Sequence, residues 1–177
     1  MTEKKQEKTN VRIYLAGPFF SESQIKRAIR VEKALEANPF IDAYFSPRKN
    51  QREDLPFGSK EWRETVFAQD IKQLEWATVV VAIADMDLVL KNDFFDKKES
   101  SLLPRIGREL ADTDSGTAFE IGYAYAKEIP IVLVHETDRP LNLMLSDSSH
   151  AYFNDVSELE RYNFLEMPKN RYDGKVI

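Results

Sequence analysis

The chain has 177 residues, 42% apolar and 31% charged, with a net charge of −5 and no cysteine. These values fit one globular domain with a sizeable core. They exclude disulfides and thiolate metal sites, a membrane span of roughly 20 apolar residues, and the basic face that a nucleic-acid binder presents.

The polar start, "MTEKKQEKTN" at 1–10, has no apolar run behind it, so it is not a secretory signal. It reads as a disordered lead-in to a cytoplasmic domain spanning 11–177. "VRIYLAG" (11–17) predicts a short strand and a turn. Residues 21–38 predict an amphipathic helix with Ile25, Ala28, Ile29 and Leu35 on its apolar face. Ser21 and Gln24 have capping-box spacing, and Asn38-Pro39 stops the helix. "DAYFS" (42–46) is a second strand, 59–77 a second helix, and "TVVVAIA" (78–84) the clearest buried strand. The segment 88–113 is long for a strand-to-helix connection and reads as an insertion or lid. A helix around Glu120 ends near 128–130; "IVLVH" (131–135) and "HAYFN" (150–154) complete the strands.

Continuous apolar strands alternating with helices imply a single-domain α/β fold: an open, mostly parallel sheet of flavodoxin or Rossmann type with helices on both faces. In such sheets ligands bind beyond the carboxyl ends of the strands. That rule points to the loops at 16–20, 46–58, 85–115 and 136–149.

Within "DTDSGTAFEIGYAYA" (112–126), Glu120 is a carboxylate inside what otherwise reads as the start of a buried helix. One reading makes Thr117 and Glu120 a capping box. The other makes Glu120 a carboxylate kept ionised by the helix terminus and aimed at a ligand, which suits a nucleophile. Asp70 falls amid the apolar face that Trp62, Val66, Phe67, Ile71 and Leu74 set on helix 59–77. It is either paired with Arg63 or an acid with a raised pKa, poised to give up a proton. Asp114, Asp85 and Asp87 bring further carboxylates to the same sheet edge. Paired carboxylates in distinct environments suit cleavage of a bond to an anomeric carbon. A divalent cation is the competing occupant, but no D-x-D-x-D loop or histidine set accompanies them. Dinucleotide, P-loop and nucleophile-elbow motifs are absent. Of the two histidines, His135 and His150, the first follows a strand and reads as packed.

Seven blocks in order carry a resemblance over nearly all of 11–177, outside 88–113: "IYLAGPFFSESQ", "NQ" (50–51), "EWRETVFAQD", "ADMD", "DSGTAFEIGYAYA", "LNLM" (141–144) and "RYDGKVI". Together they resemble the nucleoside 2-deoxyribosyltransferases, and the wording of the third and fourth is closer to the purine-restricted branch. The resemblance implies transfer of 2-deoxyribose between nucleobases by a ping-pong mechanism, with no cofactor and no metal. Glu120 matches the nucleophile, Asp114 and Asp70 the carboxylates that contact and protonate the base, and Tyr14 the tyrosine that positions the nucleophile. Gln51 matches a base-contacting glutamine; Gly17, Phe19 and Phe20 form the first loop, whose rings wall the base, and Asp87 belongs to the substrate-binding set. The resemblance further implies a homo-oligomer, typically a hexamer, in which a neighbour lends Asn142, with Met144 nearby, and its terminal carboxylate, here Ile177. Family tails commonly end in tyrosine, so Ile177 and the 88–113 insertion are the departures. The implied partners are deoxyribonucleosides and free bases, with neither nucleic acid nor membrane.

The nearest rival is an N-glycoside hydrolase of the same fold. Those enzymes hold a 5′-phosphate with a serine- and glycine-rich first loop, whereas "AGPFFS" is mostly apolar. A non-catalytic nucleoside-binding module is the rival from another class; it predicts binding without turnover.

Overall fold

The structure, a computed structural model, describes residues 9–85 and 113–177. Its strands are β1 (Arg12–Ala16), β2 (Ala43–Phe45), β3 (Val79–Ile83), β4 (Ile131–Val134) and β5 (Ala151–Phe153). They pair in the order β2-β1-β3-β4-β5, every neighbour parallel. The described helices are α1 (Glu22–Ala37), α2 (Lys60–Trp76), α3 (Ser115–Ala126) and α4 (Leu143–Ser148).

The alternation of side chains along each strand divides the core into two layers. Ile13, Leu15, Val79, Val81, Val132 and Val134 point to one face, against Val31 and Leu35 of α1 and Leu159 of a 3-10 turn at Val156–Glu160. Tyr14, Ala16, Val80, Ala82, Ile131 and Leu133 point to the other, against Leu74 of α2 and Ile121 and Ala124 of α3. Each Leu, Ile or Val buried this way contributes about 1.5–3 kcal/mol. Burial on both faces is why these strands read as unbroken apolar runs.

The capping box of α1 forms: Ser21 accepts from the Gln24 N–H while the Gln24 side chain accepts from the Ser21 N–H. Asn38 closes the helix, and its amide donates to the carbonyls of Leu159 (2.6 Å) and Tyr162 (2.9 Å).

Two expectations need correction. In α2 only Leu74 is buried: Trp62, Val66 and Asp70 line a cleft instead of the core, and Phe67, away from both, is 60% exposed. The segment 136–149 is not simply a loop: it carries α4, and Leu141 forms an isolated parallel bridge with Val176. The expected lead-in, apart from residues 9 and 10, and the expected lid at 88–113, apart from Thr113, lie outside the described residues. No described helix is long and apolar enough to cross a membrane.

Candidate active site

The chain leaves β1 towards β2 on one side and reaches β3 on the other, so the switch point of the sheet lies between β1 and β3. A cleft of about 410 Å³ opens there, fed by the loop after β1, the segment between β2 and α2, and the start of α3. Gly17 brings the first loop close over β3: a Cβ at this position would lie 3.0 Å from the Ile83 side chain. A larger residue here would require the Ile83 side chain to give by a few tenths of an ångström.

Aromatic pairs stand on two sides. Phe19 and Phe20 stack with ring centroids 5.5 Å apart, and Phe57 packs on Trp62 at 4.7 Å. All four line the cleft, and Phe20 is 74% exposed. A flat apolar ligand ring has matching surfaces here.

The polar end of the cleft gathers Glu120, Asp70 and Asp114. The Tyr14 hydroxyl, on β1, donates to Glu120 Oε1 on α3. Burial chiefly, and then the Glu120 charge, raise the Tyr14 hydroxyl far above its ordinary value, so it keeps its proton and acts as a donor. Glu120 itself is pushed up to about 8, mainly by burial; the Tyr14 bond opposes this, and the charges of Asp70 and Asp114 add to it. This overturns the expectation of a carboxylate kept ionised by the helix terminus. It also overturns the proposed capping box, because Asp114 is the cap of α3: its Oδ2 accepts from the Thr117 N–H at 2.9 Å and from the Thr117 hydroxyl at 3.2 Å. Glu120 therefore sits a turn further along, away from the strongest field of the terminus.

Asp70 is raised to about 6 by burial. Its Oδ1 is buried with no hydrogen-bond partner among the described residues, and no ion pair joins it to the exposed Arg63. Of its two readings, the pairing with Arg63 does not form among the described residues, and burial raises the carboxyl.

Three amides complete the rim. Asn50, Gln51 and Gln69 all line the cleft, and each donates its side-chain N–H to a backbone carbonyl: Ser46 at 2.9 Å, Arg48 at 3.1 Å and Asn50 at 3.0 Å respectively. Gln51 was singled out from the sequence; Asn50, Gln69, Phe57 and Trp62 were not. A glutamine one step from Asp70 on a helix carries no signal of its own.

Other candidates lie elsewhere. Asn142 caps α4, accepting from the Met144 N–H at 2.9 Å, and both residues line a separate hollow of about 480 Å³ between α3 and α4. Ile177 pairs with the backbone of Leu141 and Leu143. Of the four loops pointed to, 136–149 therefore borders this second hollow and not the cleft. Asp85 does not join the carboxylate cluster. Its Oδ1 lies 2.6 Å from His135 Nδ1, and it accepts from the Glu136 N–H and the Thr137 hydroxyl. Burial works to raise the Asp85 carboxyl, but these donors hold it below its ordinary value. His135 is buried, with its Nε2 2.7 Å from the Arg139 carbonyl. Asp87 lies outside the described residues.

Residues 13–155 match the family model described as nucleoside 2-deoxyribosyltransferase. The chain is 30% identical over 170 residues to a nucleoside deoxyribosyltransferase of Limosilactobacillus fermentum, covering 88% of this chain and 87% of that one. Among solved structures it resembles the 2-deoxyribosyltransferase of Bacillus psychrosaccharolyticus, with a TM-score of 0.68, 35% identity, and coverage of 92% of this chain and 99% of the other. A 2-deoxyribosyltransferase of Leishmania mexicana shares the fold at a TM-score of 0.55 and 19% identity, over 88% of this chain and 97% of that one. The fold and the relatives are those of a pentosyl-transferring enzyme class. The chain belongs to the nucleoside 2-deoxyribosyltransferase family.

Proposed function

We propose that this cleft moves 2-deoxyribose between nucleobases, purines favoured, by a double displacement through a Glu120 ester. The observation that carries this reading is the Tyr14–Glu120 hydrogen bond at one end of an aromatic slot that also contains the unpartnered oxygen of Asp70. In the first step a Glu120 oxygen attacks C1′ and the C1′–N bond breaks. Its electron pair leaves on the base nitrogen, and Asp70 protonates the departing base while Asp114 contacts it. In the second step a nitrogen of the incoming base attacks C1′ from the opposite face, the ester bond breaks, and the base gives its proton to the Asp70 carboxylate. Two inversions give net retention, as in retaining glycosidases with a base in place of water.

Burial raises both Glu120 and Asp70, which favours a proton shared between them, as the first step requires. A base nitrogen brought beside Asp70 draws that proton to it, and Tyr14 stabilises the carboxylate left on Glu120. The chemistry calls on carboxyls and a hydroxyl and needs no cofactor. The two aromatic pairs suit a two-ring base. The protein functions as a homo-oligomer, as a hexamer, in nucleoside salvage in the cytoplasm; Asn142, Met144 and the Ile177 carboxylate complete a neighbour's site. Their position outside the cleft of their own chain, with Met144 72% exposed, supports this arrangement.

The test is chromatography of protein incubated with deoxyinosine and adenine, beside a control lacking adenine and a Glu120→Ala sample. Deoxyadenosine is expected only with intact Glu120. Free hypoxanthine without deoxyadenosine would assign a hydrolase instead, and no conversion of any deoxynucleoside would leave a binding module.

A further inference from the structure

The three amides at the rim are oriented by their partners. Asn50, Gln51 and Gln69 each hydrogen-bond to a main-chain carbonyl oxygen, which can only accept. Turning any of these amides over would set oxygen against oxygen, so the nitrogen end is fixed in the wall. Among the described residues nothing donates to Asn50 Oδ1, Gln51 Oε1 or Gln69 Oε1. The rim therefore offers a ligand three amide carbonyl oxygens that lack donors.

Asp70 has the opposite character. Its buried Oδ1 has no partner, and it becomes a donor when a base nitrogen beside it draws over the proton it shares with Glu120. A donor beside an acceptor is the complement of a base edge that shows a ring-nitrogen acceptor next to an amino donor. Adenine presents this pair as N7 and the 6-amino group; a 6-oxopurine presents two acceptors instead. Cytosine and uracil differ in the same sense at position 4.

We infer that Asn50, Gln51 and Gln69 make this cleft select amino-bearing nucleobases over their oxo counterparts: adenine over hypoxanthine, and cytosine over uracil. The inference rests on the cleft being the nucleobase site, as proposed above. An oxo group facing the amide oxygens leaves acceptor against acceptor, and a site built to bond an N–H strongly rejects an analogue without one.

Two measurements on the full chain separate this inference from the transferase reading. In calorimetry, adenine is expected to bind at least about 10-fold more tightly than hypoxanthine, in keeping with the discrimination a good base contact supplies. In transfer from a common deoxynucleoside donor, kcat/KM for the two acceptor bases is expected to differ by a similar factor. Gln51→Leu and Gln69→Leu each remove an acceptor and should narrow the ratio. Gln51→Glu loses the N–H to Arg48 but keeps an acceptor, so it should preserve the ratio; a merely structural role for the amide would make it fail like leucine. Equal or tighter binding of hypoxanthine, or a ratio unmoved in both leucine variants, overturns the inference even if transfer is vigorous. Absence of transfer with adenine still preferred in calorimetry overturns the transferase reading and leaves the base preference standing.

Discussion

Glu120 is held between one donor, the Tyr14 hydroxyl, and two further carboxyls, Asp70 and Asp114. That setting makes the ionised form costly to the fold. The carboxyl has an ordinary value of 4.5 and a folded value of about 8, so the protonated state is the one that folding favours. The associated stability is fully present below about 4.5 and is lost as pH rises through 8. Glu120→Gln carries no charge at any pH. Its melting temperature relative to the parent should therefore climb between pH 5 and pH 9, reaching several degrees at the alkaline end. Thermal melts at the two pH values check this; a constant difference would show that Glu120 does not carry the buried proton. The same substitution should abolish ester formation, so stability and activity move in opposite directions.

The segment that delivers Asn50 and Gln51 is tied down by a residue far from the cleft. Glu32, on α1 and 2% exposed, accepts from the Ser46 hydroxyl at 2.8 Å and from the Arg48 guanidinium through both of its oxygens. Glu32→Ala leaves that guanidinium without its carboxylate. Arg48 is 22% exposed, so water offsets part of the loss and the cost stays below the about 3–5 kcal/mol of a fully buried pair, but the amide rim loses its footing. The expected result is a rise in KM for the base of about 10-fold or more with a smaller change in kcat, measured beside a melting curve; an unchanged KM would detach the clamp from the rim. At this scale the sequence is informative where a local rule is strong. Ser21 with Gln24, Asn38-Pro39 and the run "TVVVAIA" each specify one structure, and the helix start, helix end and central strand follow. It misleads where tertiary placement decides. Phe67 falls on the apolar side of a helical projection, yet it is exposed and meets the ring of Phe119, itself half exposed, outside the core. Thr117 and Glu120 have the spacing of a capping box, but Asp114 takes the cap position first. The six-residue α4 is too short and too rich in serine for periodicity to register. Tyr14 and Asp70 were legible as candidates from resemblance and from a misplaced charge; their meeting with Glu120 depends on strand order, which no local pattern encodes.

Across the whole molecule, the C-terminal strap binds the chain's end to the start of α4. Leu141 and Leu143 donate to the carbonyls of Lys175 and Ile177, each at 3.0 Å, and Ile177 donates back to Leu141 at 2.9 Å. Deleting residues 175–177 removes all three bonds and frees Asn142 from its paired neighbours. If Asn142 and the terminal carboxylate complete a neighbouring site, the truncated protein should lose most transfer activity. Its mass by light scattering should also fall below the six 20.5 kDa chains expected of the parent. Retention of both would place these residues outside the working site. The all-parallel sheet has a kinetic consequence as well. No two of the described strands form a hairpin, so no pair of them can zip up from a tight turn. The pairing closest in sequence, Val132 with Ala151, already encloses α4, and Tyr14 must wait for Val80 beyond the whole of α1, β2 and α2. Each pairing must overcome loop-closure entropy before it yields contacts, so refolding should run on the order of milliseconds to seconds, slower than a helical bundle of the same length. The Tyr14 hydroxyl of β1 and the carboxyls of α2 and α3 come together only when that slow search ends, making the recovery of activity a late event in folding.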